Sequence, residues 1–208
     1  MVITYHGNQC VKLQFGDTTI AVNPISKDSK LKSTRFGADI CLVSLNSPDF
    51  NGSDQVSFGD RQPFVISGPG EYETKGIFIK GFPSHSSYGG EEKINTVYTL
   101  NLDSINICIL GALDVAEIPS EAKESIEEVD ILFVPIGGNG VLTPQDAYKL
   151  AVQLEPKAII PVGFDGDKEA LKAFLKEGGE DVKAVDKLTL KRKDLEGKEG
   201  EIMVLSVS

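Results

Sequence analysis

Ile40-Cys41-Leu42-Val43, followed at once by Ser44-Leu45-Asn46-Ser47-Pro48-Asp49-Phe50-Asn51, is the stretch from which the architecture is read. An unbroken apolar run of this length fits a strand buried on both faces, because a half-exposed strand would alternate. A polar loop at the carboxyl end of such a strand is where α/β proteins place ligands. Asn46, Ser47, Asp49 and Asn51 therefore either line a pocket or form an Asx-rich turn whose side chains bond their own backbone.

On the N-terminal side, residues 2–5 and 10–15 are short β-rich runs, and Gly16-Asp17-Thr18 turns the chain into a strand over 19–22. Further strands are predicted at 64–66, 76–80, 96–102 and 105–110, the last two joined by a turn at Asp103-Ser104. Residues 27–36, polar and basic, and 51–62, rich in Gly, Ser and Asp, read as loops or loops with a short helix. Then the period changes. Pro119-Ser120-Glu121 opens a helix predicted to run to about Val129, with acids near its positive end. Residues 131–135 are a buried strand. Thr143 caps a helix with Pro144 at its first position and Ala147, Leu150, Ala151 and Leu154 on one face. A buried strand over 157–162, a helix over 168–176 stopped by Gly178-Gly179, and a strand over 201–207 complete the chain. Strands first, then strand–helix alternation, imply mixed sheets covered by helices. No Pro- or Ser-rich linker interrupts the 208 residues, so a single domain over 1–208 is expected.

Composition narrows the chemistry. Thirty-one acids against 21 bases leave a formal charge of −10, which disfavours nucleic acid and anionic membrane as partners. The only basic stretch, 27–35, reads as a solvated loop. Three cysteines without paired spacing argue against a disulfide framework and, with no signal peptide or membrane span in sight, favour the cytoplasm. Two histidines, His6 and His85, lie far apart, so no H-x-H or H-E-x-x-H site exists.

Other features carry weaker signals. Gly137-Gly138-Asn139-Gly140 after the 131–135 strand matches no nucleotide-binding spacing, and a tight strand-to-helix connection accounts for it better than a phosphate cradle. His85 sits among hydroxyls in Ser84-His85-Ser86-Ser87, but no G-x-S-x-G elbow accompanies it. Glu71 and Glu73 fall on one solvent face by alternation.

Taken in order, seven segments of the chain resemble the metallo-β-lactamase superfamily, nearest to the branch of compact metal-dependent hydrolases that includes the L-ascorbate-6-phosphate lactonases. His6-Gly7-Asn8-Gln9-Cys10 looks like that branch's opening G-H-S-C strand, and Ala21-Val22-Asn23-Pro24 like its I-D-P segment. The stretch from Ala38 to Ser44 looks like the strand that delivers the H-x-H-x-D-H metal motif. Pro83-Ser84-His85-Ser86 resembles P-x-H-S, and the stretch from Cys108 to Leu113 resembles C-H-L-G-D-L. Val134-Pro135-Ile136-Gly137-Gly138 and the stretch from Pro156 to Gly163 resemble the last two strand ends. The resemblance implies an αββα four-layer sandwich of the α/β (α+β) class, with two mixed sheets and helices on both outer faces.

The resemblance also places the family's metal-ligand positions on Leu45, Ser47, Asp49, Phe50, Ile109, Ala112 and Gly163. Only Asp49 is a metal donor of the expected kind. A catalytic zinc needs three or more N, S or O ligands. No metal and no cofactor are therefore expected. The expected function is a non-catalytic binding or interaction module for a small molecule or a protein. The competing reading is a hydrolase of phosphoesters, lactones or thioesters using a relocated site around Asp49 and His85. Asn8, Asn23, Asn46, His85, Gly137 and Gly138 are the candidate pocket.

Overall fold

A computed structural model of the chain describes residues 1–33, 35–126, 128–164, 168–179 and 181–208. Thr34, within the basic loop, and Glu127, within the stretch predicted to be helical, lie outside the described residues. The early apolar runs pair as a meander: β1 (Val2–Tyr5), β2 (Val11–Phe15) and β3 (Thr18–Val22) are antiparallel. β4 (Ile40–Leu42) and β5 (Phe64–Ile66) extend that sheet in parallel. The second sheet starts with antiparallel β6 (Gly70–Thr74), β7 (Ile77–Ser86), β8 (Lys93–Leu102) and β9 (Ile105–Ile109). It continues in parallel through β10 (Ile131–Pro135), β11 (Ala158–Val162) and β13 (Glu201–Ile202). β12 (Leu188–Thr189) closes the first sheet beside β1, so six strands face seven.

Side-chain alternation assigns the two faces. Ile3, Leu13, Ile20, Ile40 and Leu42 of the first sheet meet Ile79, Tyr98, Ile107, Phe133 and Ile160 of the second in one inter-sheet core. The intervening residues Cys108, Leu132, Val134 and Ile159 face outward, onto Ala147, Leu150, Ala151 and Phe174. Those last residues belong to α2 (Pro144–Leu154) and α3 (Lys168–Gly178), whose apolar stripes cover the second sheet. Thr143 caps α2 by accepting from the Asp146 N–H, with Pro144 at the first helical position as its sequence suggests. The β8–β9 turn is at Asp103-Ser104, both with φ of 58°, the left-handed pair of a tight hairpin.

Several boundaries differ from the sequence expectation. β7 runs on to Ser86 and β8 starts at Lys93, because the ladder continues through Ser84, His85 and Asn95, residues that read as loop. Pro83 sits in β7 beyond the last pairing with β6, where that side of the strand is open, a setting that tolerates proline. α1 (Ser120–Ser125) is shorter than predicted, because Ile126 turns extended and Val129 is buried at the sheet. The final strand is confined to Glu201–Ile202, with Leu205 and Val207 making only isolated bridges. Among the described residues, the outer face of the first sheet is covered by the 3₁₀ turn Ser53–Val56 and adjoining loop rather than by an α-helix. Phe36, Ala38 and Val56 pack there on Ala21, Cys41 and Val43. Gly52 presses on the Ile25 backbone, where a Cβ would lie 2.5 Å away. No described helix is long and apolar enough to cross a membrane.

Asp130 locks the parallel half of the second sheet. It is fully buried, accepts from the Asn106 N–H at 2.7 Å, and pairs with Lys157 at 2.7 Å. Removing its carboxylate orphans the Asn106 N–H at the buried sheet end and leaves Lys157 with Glu128, at 2.7 Å, as its remaining partner. Asp130→Ala is expected to lower the unfolding free energy by about 3 kcal/mol in urea titrations.

Candidate functional site

The loops that leave β4, β9, β10 and β11 converge with the turn between β1 and β2 at one end of the sandwich. Backbones there touch so closely that side chains are excluded. A Cβ on Gly137 would sit 2.2 Å from the Gly163 carbonyl oxygen, and one on Gly140 would sit 2.4 Å from that of Ser87. The Gly138 N–H donates to the Leu142 carbonyl at 3.1 Å, so the glycine run is a tight connection into α2.

Three of the positions marked by the resemblance meet in one apolar cluster. Leu45, Phe50 and Ala112 pack with Val141, and the half-buried Tyr88 closes the group, its ring edge-on to Phe50 at 4.9 Å. Ile109 is not part of this cluster. It faces the inter-sheet core, opposite Tyr98 on β8. Ser47 is buried in a turn, where its carbonyl accepts from the Phe50 and Asn51 N–H groups at 2.9 and 3.0 Å. Gly163 has φ of 74°, a left-handed conformation that side chains disfavour. Asp49 lies at the rim, where one carboxylate oxygen accepts from the Ser29 hydroxyl and the other from the Tyr88 hydroxyl at 2.7 Å. Burial first, and then the neighbouring Asp49 carboxylate, push the Tyr88 phenol up, which keeps it protonated as the donor.

Over this cluster opens a cleft of about 380 Å³, lined by His6, Asn8, Gln9, Gly137, Gly138 and Gly163 among others. Of the six candidate pocket residues, Asn8, Gly137 and Gly138 are there. The structure does not gather the other three. Asn23 is fully buried, with its carboxamide oxygen accepting from the Ser44 N–H at 2.8 Å. Asn46 is exposed, and its carboxamide oxygen accepts from the Asn51 side chain at 3.0 Å, a side-chain pair within the loop rather than a bond to its own backbone. His85 lies on the β7–β8 hairpin, where its Nδ1–H donates to Asp114 at 2.9 Å. Asp49 and His85 thus engage different partners, rather than each other, among the described residues. Sequence reasoning misses Tyr88 and Asp114, since each acts across loops distant in the chain and neither belongs to a spaced motif.

Burial, aided by Lys12, holds the His6 imidazole below its ordinary pKa, so it is neutral at pH 7. Burial pushes the Cys41 and Cys108 thiols up to about 12, which keeps both un-ionised. Among the described residues, no group of three or more His, Cys, Asp and Glu side chains could hold a metal ion.

His85 has the opposite character to His6. Its hydrogen bond to Asp114 and that carboxylate's charge raise its pKa. Burial raises Asp114, but bonds from His85 and Ser87 outweigh this and leave its pKa lowered. With only two histidines, imidazole NMR signals resolve both residues. One is expected to titrate below 6.5 and the other above it. Asp114→Asn should return the higher value toward normal. The His85 contribution to stability is present below pH 6.5 and disappears as pH rises through its folded pKa.

With this geometry in view, the relatives are informative. The family described as "Beta-lactamase superfamily domain" matches residues 2–163. A UPF0173 metal-dependent hydrolase of Anoxybacillus flavithermus is 26% identical over 196 residues, covering 79% of this chain and 86% of the relative. One from Natranaerobius thermophilus is 26% identical over 191 residues, covering 79% and 84%. A crystal structure of a metallo-β-lactamase superfamily protein from Thermotoga maritima superposes with a TM-score of 0.77 at 28% identity, covering 98% of this chain and 97% of that one. The chain belongs to the metallo-β-lactamase-fold family of metal-dependent hydrolases.

Proposed function

We propose that this chain is a metal-free, non-catalytic member of its family that acts as a binding module through the cleft beside Gly137, Gly138 and Gly163. The observation that carries this reading is the apolar cluster of Leu45, Phe50, Ala112 and Val141 beneath that cleft. Leu, Phe, Ala and Gly side chains donate nothing to a metal, and a catalytic zinc needs three or more N, O or S ligands. The donor set therefore does not fit the ion. Asp49, the remaining carboxylate, already has both oxygens engaged by hydroxyls. Without a bound metal, nothing lowers the pKa of a water toward ~7, so the hydroxide that such a site supplies is not formed. The chemistry left to the cleft is recognition of a small molecule or a protein segment, with neither nucleic acid nor membrane favoured by a charge of −10.

A hydrolase working through Asp49 and His85 has less to support it. His85 is oriented by Asp114 and Asp49 by Tyr88, and the cleft is lined by Tyr88 but not by His85.

Metal content decides the matter. Protein equilibrated with excess zinc and then desalted should carry less than about 0.1 metal per chain by elemental analysis, whereas about one tightly held metal would overturn the proposal. The cluster should also behave as core. Phe50 is fully buried, and Phe50→Ala is expected to lower stability by about 3–5 kcal/mol in urea unfolding. Phe50→His, which puts a donor back at that position, should destabilise the fold without conferring zinc binding.

A further inference from the structure

The tip of the β7–β8 hairpin is tied to the rest of the molecule at two carboxylates, and one of them also holds a histidine. The β7–β8 ladder ends at Ser86 and Lys93. Just past it, Tyr88 lies over the apolar floor. Its ring meets Phe50 edge-on at 4.9 Å, its hydroxyl donates to Asp49 at 2.7 Å, and it lines the cleft. At the root of the tip stands Asp114, a nearly buried carboxylate from the loop after β9. His85 donates to it from Nδ1 at 2.9 Å, and Ser87 bonds to it as well. Asp49 thus holds the end of the tip and Asp114 holds its root.

Between those anchors the backbone is suited to bending. Gly89 and Gly90 follow Tyr88 with φ of 77° and 81°, left-handed values that a residue with a Cβ disfavours. Packing does not demand glycine there: a Cβ on Gly90 would meet nothing within 4 Å, and one on Gly89 only the end of Lys93 at 3.7 Å. Two such residues in a row let the segment change direction at little steric cost, as a loop hinge requires.

The strength of the root depends on one proton. A protonated His85 gives Asp114 an ion pair as well as a hydrogen bond, whereas a neutral one gives the hydrogen bond alone. The charged groups facing His85 are Asp114 from the loop after β9, and Glu92 and Lys93 of its own hairpin. The bond to Asp114, that carboxylate's charge and the charge of Glu92 all favour the imidazolium. Lys93 is engaged by Glu91 at 3.5 Å and by the Tyr88 carbonyl at 3.4 Å. The ion pair is therefore complete below pH 6.5 and is lost as pH rises through the folded pKa of His85.

We propose that the hairpin tip Ser87–Gly90 is a pH-latched lid on the cleft: the His85–Asp114 ion pair keeps Tyr88 over the apolar floor, and deprotonation of His85 frees the tip to swing aside. An open lid extends the cleft onto Phe50 and Val141. This rests on the cleft being the binding surface and adds the condition under which its floor is reached.

Amide exchange by NMR tests it, corrected for the intrinsic pH dependence of exchange. The Tyr88 N–H donates to Ser86 Oγ at 3.2 Å and the Gly90 N–H to the Ser87 carbonyl at 2.9 Å, so both report on the tip. An exposed pair is worth little, so their protection should fall about two- to fivefold between pH 5.5 and 8.5. The midpoint should match the His85 imidazole titration, and the Ala147 amide in α2 should show no step. His85→Gln and Asp114→Asn should abolish the step, while Tyr88→Phe, which cuts the other anchor, should lower protection at every pH and keep it. The second readout is a thiol in the floor. The native cysteines are buried, and labelling of Val141→Cys, corrected for its thiolate fraction, should accelerate by the same factor with the same midpoint. Four results would each overturn the inference: no step at Tyr88 and Gly90, a step shared by Ala147, a step that survives Asp114→Asn, or floor labelling that ignores it. Zinc content is read separately, so tight zinc would defeat the metal-free reading, whereas a missing step defeats the lid alone.

Discussion

The seam between the two sheets at the loop end is the contact on which the rest depends. Tyr98, fully buried on β8, donates its hydroxyl to the Val43 carbonyl at 2.9 Å, just past the end of β4. One residue on, the Thr96 N–H donates to the Ser44 carbonyl at 2.8 Å, and Leu45 and Asn95 form a bridge. The loop from Ser44 to Asn51 is therefore anchored to the opposite sheet before it turns. Its apolar residues, Leu45 and Phe50, are directed onto Ala112 and Val141 from the second sheet's loops. Without this seam the two sheets would still bury their inner faces, but the loops would have no fixed relation and no shared cleft.

The sheet strands were legible because their periods are simple. Residues 131–135 and 158–162 are wholly apolar because Ile131, Phe133, Ala158 and Ile160 face one core while Leu132 and Ile159 face the other. The β7–β8 extension was not legible, since Ser84, His85 and Asn95 carry no apolar alternation and are held by the ladder and by Asn95's buried bonds. At the candidate site, the segment order identified which loops meet, and Leu45, Phe50 and Ala112 do meet. What escaped was the partnering of individual polar groups. Nothing in the spacing of Asp49 and Tyr88, or of His85 and Asp114, says that they touch.

The backbone argues beyond the side chains about what this site can become. A histidine at Gly163 would need a left-handed residue, at a cost of roughly 1–2 kcal/mol for a side chain with a Cβ, and it would project toward Gln9. A histidine at Ile109 would place an imidazole in the apolar space between the sheets, where Ile109 faces Tyr98 and Phe133 on neighbouring strands. Neither position accepts a ligand by exchange of one residue alone. The two environments, a left-handed glycine and an inter-sheet aliphatic, each favour the residue that is present.

Cleft and cluster then have complementary roles. A site that gathers several imidazoles and carboxylates carries electrostatic repulsion that only its metal relieves. Here the floor is apolar, the Asp49 carboxylate accepts hydrogen bonds from the Ser29 and Tyr88 hydroxyls, and the nearby His6 is kept uncharged by burial. On the metal-free reading proposed for this chain, such a cleft would need no ion to stay folded, because its floor is held by apolar packing.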